Sequence, residues 1–325
     1  MSDAQRSAPV WALHDGHAGN ARQALALARA LGWPRPAEPV LGPVAPWRWC
    51  APRHLPGAAL GLGKAFAQAL AQPPALAIGC GRQAALATRV LRSRGATAVQ
   101  ILDPRIDPRH WDQVIVPEHD GLRGENVLTL LGSLHPVDEA WLAEGRASFP
   151  ALAALPSPRI VLLVGGPTAR VPWDEAALAT EIAALVAMAA IQGGSVLATT
   201  SRRTPAGMMP WLREGLRPVP SLLWTGPADG PNPYAGLLGW ADAIACTSDS
   251  SNLLSEACAT QVPVRALFAD RAQGRAAQLL AALDARGRLA SEADLLAATP
   301  MTPLRETERI ATLLRQRIAV PAPPG

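Results

Sequence analysis

The residues best able to do chemistry fall into a few short polar stretches set between apolar runs. Thr247-Ser248-Asp249-Ser250-Ser251 follows the apolar run Ala241 to Cys246 and precedes an apolar-periodic segment carrying Leu253, Leu254, Ala257 and Cys258. These loop residues are the types that cap helices, and their backbone N–H groups point outward at a helix start. Such an end carries partial positive charge and suits an anion. Glu256 lies about one turn inside the helix, within reach of a hydroxyl on the same ligand. A diphosphate on the loop with a ribose on Glu256 fits a nucleotide-sugar; a well-capped crossover helix with a solvated Glu256 fits the same pattern. Ser201-Arg202-Arg203-Thr204 adds two guanidiniums and two hydroxyls, a good diphosphate clamp or an ordinary solvated pair. Gly165-Gly166 permits a backbone to approach a ligand closely.

The first half of the chain offers acid and base groups. Asp15, His17, Glu118, His119 and Asp120 are the candidates to deprotonate an acceptor hydroxyl, with turn capping as the plainer role for the last two. All six histidines precede residue 136, so any histidine base comes from this half. Two glycine turns accompany these groups. One runs from Asp15 to Asn20 and includes Gly16 and Gly19; the other is Gly79-Cys80-Gly81-Arg82-Gln83. Neither turn completes G-x-G-x-x-G, and no acidic residue stands at the spacing that NAD binding needs. The sequence has no P-loop and no G-x-S-x-G nucleophile motif. No His, Cys or Asp cluster has metal-ligand spacing, so no metal and no resident cofactor is expected.

The elements that must position these groups are alternating strands and helices. Apolar runs at 9–14, 75–79, 97–102, 113–116 and 127–131 read as strands, with helices over 21–31 and 84–94. A second series has strands at 159–164, 195–200, 221–225 and 264–268, and helices over 173–191, near 208–214, from 232 through 238, 276–284 and 303–318. This alternation predicts parallel α/β sheets, with functional loops at the C-terminal ends of strands. Residues 33–63, rich in Pro and Trp, read as loops plus a short strand packed on a helix, or as a surface for lipid or a hydrophobic acceptor. The prolines at 136, 150, 156 and 158 mark a crossing between domains.

Composition bounds the rest. At 325 residues the chain is long enough for about two domains. It is 49% hydrophobic and 17% charged, which supports sizeable cores and argues against extended disorder. Net charge is +4, but the arginines are spread along the chain and form no basic block, so nucleic acid is not an expected partner. A mildly basic face remains suited to a phosphorylated ligand or an anionic membrane. The four cysteines show no C-x-x-C spacing and read as reduced, which points to the cytoplasm. The N-terminus lacks a signal-peptide core, and the most apolar run, Ala176 to Ile191, is interrupted by Glu181.

Taken together, DGHAGN-x-x-Q (Asp15 to Gln23), GCGRQ (Gly79 to Gln83), DPR (Asp103 to Arg105), PEHD (Pro117 to Asp120), GGP (Gly165 to Pro167), SRRTP (Ser201 to Pro205), NPY (Asn232 to Tyr234) and TSDS…SEA (Thr247 to Ala257) resemble the mitochondrial-fission Elm family. The resemblance covers almost the whole chain. It implies a GT-B-like α/β fold, two Rossmann-type domains facing a cleft. The expected domains are 1–150 for the acceptor and 151–325 for a nucleotide-sugar donor, with the last helix packing back on the first. It implies a metal-independent glycosyltransferase acting on a lipid-linked or envelope-type saccharide, cytoplasmic and peripheral on the inner membrane. The donor residues are then Gly165, Gly166, Ser201 to Thr204, Asn232, Tyr234, Thr247 to Ser251 and Glu256. Gly16, Gly19, Asn20, Gly81, Arg82 and Gln83 form the acceptor-side loops. Leu253 stands where a strict S-x-x-E box would have serine, which leaves sugar and base open. An epimerase on the same fold and a non-catalytic partner-binding protein are the alternatives.

Overall fold

The computed structural model describes residues 10–297 and 299–322. Residues 1–9, which hold the expected signal-free N-terminus and the first residue of the first strand, lie outside them. The chain divides into two compact units, Met1–Pro136 with Glu306–Gly325, and Val137–Arg305. The division falls before the expected boundary at residue 150.

The first unit contains β1 (Val10–His14), α1 (Ala18–Ala30), α2 (Trp47–Cys50), α3 (Ala58–Gly61), α4 (Lys64–Ala69), β2 (Leu76–Cys80), α5 (Arg82–Arg92), β3 (Thr97–Ile101), β4 (Gln113–Pro117) and β5 (Val127–Leu130). Its five strands pair in parallel in the order β1-β2-β3-β4-β5. Both faces are covered, which is why the strands read as continuous apolar runs. Val10 and Ala12 face one core with Ala24 and Leu27, while Trp11 and Leu13 face another with Phe66 and Leu86.

Residues 33–63 differ from the expected loops and strand. They form short helices, and their only strand-like feature is a bridge from Ala37 to β1. Ala12 N–H donates to the Ala37 carbonyl at 2.9 Å and Ala37 N–H donates to that of Val10 at 3.1 Å. The chain therefore leaves β1, touches one of its edges at Ala37, and returns to the other edge as β2. The C-terminal end of β1 is thus a topological switch point, where α/β proteins place ligands. The helices were illegible because each is at most six residues long, too short for a periodic pattern. They are held by packing, with the Trp47 ring against Gly57 and Gly61.

The second unit contains α6 (Glu139–Ser148), β6 (Arg159–Val164), α7 (Glu175–Gln192), β7 (Ser195–Thr200), α8 (Met208–Leu216), β8 (Ser221–Trp224), α9 (Tyr234–Trp240), β9 (Ala243–Thr247), α10 (Ser251–Cys258), β10 (Val264–Leu267) and α11 (Arg275–Asp284). Its parallel sheet has the order β10-β9-β6-β7-β8. From β6 the chain builds outward through β7 and β8, then returns to β9 on the other side, so this sheet's switch point lies between β6 and β9. Helix α6 occupies part of the stretch expected to be a bare crossing. Asp138 caps it by accepting from Trp141 N–H at 2.7 Å. It packs closely on α9 because Gly145 and Gly239 carry no Cβ; one at Gly239 would meet the Leu142 carbonyl at 2.7 Å.

Among the described residues α7 alone is long and apolar enough to cross a membrane by length and composition. Leu178, Ile182, Leu185 and Ala189 bury one side of it in the sheet's core. Glu181 on the same helix is ion-paired to Arg265 at 2.6 Å. The chain then returns to the first unit with α12 (Glu306–Arg317). Buried Glu306 fixes it there, accepting from Leu131 N–H at 2.7 Å and pairing with Arg309.

Candidate functional site

The loops after β6, β7 and β9 meet at the second unit's switch point, and they bind one another tightly. Thr247, wholly buried, accepts from Gly165 N–H at 2.8 Å. Ser248 turns its hydroxyl inward to the Leu267 carbonyl at 2.7 Å. Ser250 is the cap of α10, accepting from Leu253 N–H at 3.4 Å. Thr204 donates to the carbonyls of Val164 and Gly165, and Ser201 accepts from Arg203 N–H at 3.1 Å. These hydroxyls position the loops; Ser251 and Arg202 are left exposed.

Asp249 sits at the centre. Its side chain is fully buried and takes three donors: Gly166 N–H at 2.9 Å, the Trp173 indole at 3.2 Å and the Arg203 guanidinium at 2.7 Å. A backbone N–H, an indole N–H and a guanidinium converging on two oxygens form an anion site. Here the anion is the chain's own carboxylate. Gly165 and Gly166 are glycines because a Cβ on either would run into Asp249 or into the Arg203 backbone. The expected two-arginine clamp is corrected accordingly: Arg203, though half-exposed, is paired to Asp249, and Arg202 is the exposed arginine beside it. Sequence reading missed Trp173 as a site residue, since it sits 76 residues from its partner at the start of a helical run, where only its need for an acceptor hinted at a role.

Glu256 also differs from an open ribose ligand. It is buried on α10 and accepts a hydrogen bond from the Tyr234 hydroxyl at the start of α9. Tyr234 is in turn oriented by Asn232, whose side-chain oxygen accepts from Tyr234 N–H at 3.0 Å. The two expected donor contacts thus meet each other.

In the first unit, the loop after β1 holds an Asp–His pair. Asp15 accepts from Asn20 at 2.9 Å and from His17 N–H at 3.2 Å, and its carboxylate lies 3.0 Å from His17 Nδ1. Burial raises the Asp15 carboxyl, but the bonds from Asn20 and His17 outweigh it and hold it below the ordinary carboxylate range. An ionised Asp15 fixes Nδ1–H on His17 and leaves Nε2 facing solvent, the arrangement of an oriented base. Gly81 completes this corner, since a Cβ there would meet Asn20 Nδ2 at 2.5 Å and Asp15 at 2.7 Å. Gly16, at positive φ, makes the turn, and Gly19 lies in the first turn of α1.

Glu118, His119 and Asp120 form a short 3-10 turn after β4. Two strands separate β4 from β1 in the sheet, a distance of roughly 14 Å. These three residues are therefore not part of the Asp15–His17 corner; Glu118 instead adds negative charge beside Arg309. Gln83 is structural, donating to the Arg48 carbonyl at 2.8 Å to hold α2 against α5. Arg82 reaches the same carbonyl at 3.3 Å and also lines a cavity of about 330 Å³ at the ends of β2 and β3. Among the described residues no cluster of His, Cys, Asp or Glu is arranged to hold a metal. Burial pushes the Cys80 and Cys258 thiols up, the latter to about 11, so neither is a nucleophile.

Two Rossmann-type parallel-sheet domains, each with polar loops gathered at its switch point, define the class of protein, in agreement with the fold class expected from the sequence. The family model described as mitochondrial fission ELM1 matches residues 18–318, and the chain belongs to that family. It is 31% identical over 277 residues to the mitochondrial fission protein ELM1 of Arabidopsis thaliana, covering 76% of this chain. The chain spans 64% of that relative's length. Among solved structures it is similar to MurG of Acinetobacter baumannii, with a TM-score of 0.49 and 13% identity over 94% of this chain and 99% of that one. The same TM-score, identity and coverage are found for the UDP-GlcNAc 2-epimerase of Methanocaldococcus jannaschii, solved with UDP-GlcNAc and UDP.

Proposed function

We propose that the protein is a glycosyltransferase that takes a sugar from a nucleoside-diphosphate donor. The observation that carries this reading is the convergence of Gly166 N–H, the Trp173 indole and Arg203 on one pair of anionic oxygens at the β6/β9 switch point. Those donors suit a diphosphate as well as they suit a carboxylate. Arg202, exposed beside them, supplies the charge that neutralises the leaving diphosphate. In the transfer, an acceptor hydroxyl gives its proton to a general base while its oxygen bonds to the anomeric carbon. The bond from that carbon to the diphosphate breaks, and the nucleoside diphosphate leaves with the electron pair. Within the first unit, Asp15 orients the His17 imidazole as a base would need.

The test is a thermal-shift screen against UDP-, GDP-, ADP-, dTDP- and CMP-linked sugars and the free nucleotides. A ligand at about 100 times its Kd stabilises by roughly 2.7 kcal/mol. One nucleotide family is expected to shift the melting temperature, and Arg202→Ala to abolish most of that shift. No shift with any nucleotide would remove the reading. An epimerase on this fold would interconvert sugars with donor alone, so product analysis without acceptor separates the two. A partner-binding protein without catalysis is the second reading. It is favoured by the same Asp249, since an anion site filled by its own carboxylate needs no ligand.

A further inference from the structure

The cavity at the ends of β2 and β3 is built differently from the second unit's anion site. Arg53, Arg82 and Arg105 line it against a single carboxylate, Asp103. Arg105 is paired to Asp103 at 3.0 Å, whereas Arg53 and Arg82 are exposed and, among the described residues, have no acidic partner. The start of α5 opens on the same wall, with Gly81 as its cap and no side chain satisfying the first N–H groups.

A second, independent feature asks for a ligand. Gln100 lines the cavity, is 1% exposed, and its Oε1 has no hydrogen-bond partner among the described residues. Its amide nitrogen donates to the Ile101 carbonyl at 2.6 Å and to the Gly81 carbonyl at 3.5 Å, which leaves Oε1, beside Gly79, as the unmet acceptor. A buried acceptor without a donor is costly, and a ligand hydroxyl removes the cost. Asp103 offers a further acceptor for hydroxyls. The rim carries Trp49, 69% exposed, an aromatic face on which a sugar ring can lie. Leu102 and Arg105 hold positive φ angles of 74° and 60°, so the loop that carries Asp103 is constrained into an uncommon backbone.

We infer that this cavity is a binding site for a phosphorylated saccharide, with phosphate on Arg53, Arg82 and the start of α5, hydroxyls on Gln100 and Asp103, and the ring against Trp49. Gly81 joins the cavity to the Asp15–His17 corner. A hydroxyl of a saccharide held here thus lies on the same side of the sheet as the proposed base. The inference names the acceptor class for the transferase reading and in that sense rests on it, but the binding itself needs no donor.

The test is calorimetric titration of the full chain with glucose 1-phosphate, inorganic phosphate and glucose, without nucleotide. Glucose 1-phosphate is expected to bind, with inorganic phosphate and glucose each at least roughly tenfold weaker. Arg82→Ala and Trp49→Ala, both at exposed side chains, are expected to weaken it roughly tenfold while the melting temperature holds. Arg202→Ala is expected to leave it unchanged. No binding of glucose 1-phosphate, equal binding of inorganic phosphate, or indifference to Arg82→Ala would each overturn the assignment. The nucleotide screen reports separately. Glucose 1-phosphate binding without any nucleotide shift would remove the transferase reading and keep this site; the reverse result would keep the transferase and remove the site.

Discussion

At the β6/β9 switch point a carboxylate, an indole and a guanidinium satisfy one another. At the ends of β2 and β3, among the described residues, a buried amide oxygen has no donor and two arginines have no acidic partner. Both regions lie where parallel α/β sheets present their loops, so topology does not separate them. What separates them is the residue that follows the strand. Thr247 to Ser251 carries its own anion in Asp249, whereas the turn after β2 is Gly81 with Arg82 opening α5, and the cavity's one carboxylate, Asp103, is taken by Arg105. A site that holds its own counter-ion is stable when empty and must be opened by its ligand. A site with unmet groups is open and gains stability from what fills it.

Perturbing the self-satisfied site should give the largest effect. Gly166→Ala places a methyl against the Arg203 backbone, which cannot move without breaking the Asp249 contacts. A loss of roughly 2–3 kcal/mol is expected in urea unfolding, as for overpacked core positions. A change under about 0.5 kcal/mol, the level of ordinary surface substitutions, would show that the loop is looser than described. Asp249→Asn keeps the shape but removes the charge under Arg203 and is expected to cost about 1–3 kcal/mol by the same measurement. Tyr234→Phe leaves the buried Glu256 carboxylate short of one donor, and about 1 kcal/mol should be lost. If Tyr234→Phe costs as much as Asp249→Asn, the contrast between a central anion and a peripheral pair fails.

The smallest effect belongs to the first unit and is read against pH. The folded-state pKa of Asp15 lies below its ordinary value of 3.8. Its bonds to Asn20 and His17 therefore contribute stability that is full above the ordinary value and is lost as pH falls through the lower folded value. The melting temperature of the wild type should fall more steeply than that of Asp15→Asn across this acid range. Parallel curves would mean that Asp15 is not held as the geometry implies.

Much of this architecture was legible in the sequence, because buried parallel strands are short apolar runs and their ends carry polar residues. The strands β1 to β10 and the long helix α7 follow from that pattern. Helix α6 was hidden by the prolines around it and by Gly145, which reads as a breaker yet is there for close packing on α9. Within the candidate site, residue types pointed to loops that the fold brings together, but not to who bonds whom. Arg203 and Glu256 look like ligand groups in any sequence; only the fold brings Asp249 to one and Tyr234 to the other. For the first unit's cavity the sequence offered Arg82 and Asp103 at strand ends, and Gln100 as a polar residue inside the strand TAVQI.

The most direct measurement is equilibrium binding of the nucleoside diphosphates to the wild type, to Asp249→Asn and to Asp249→Asn combined with Arg203→Ala. If Asp249 occupies the place of the ligand's phosphate oxygens, Asp249→Asn should raise affinity for the preferred nucleotide by roughly tenfold or more. Adding Arg203→Ala should cancel the gain. Equal affinity in the wild type and in Asp249→Asn would contradict a self-occupied anion site at this switch point.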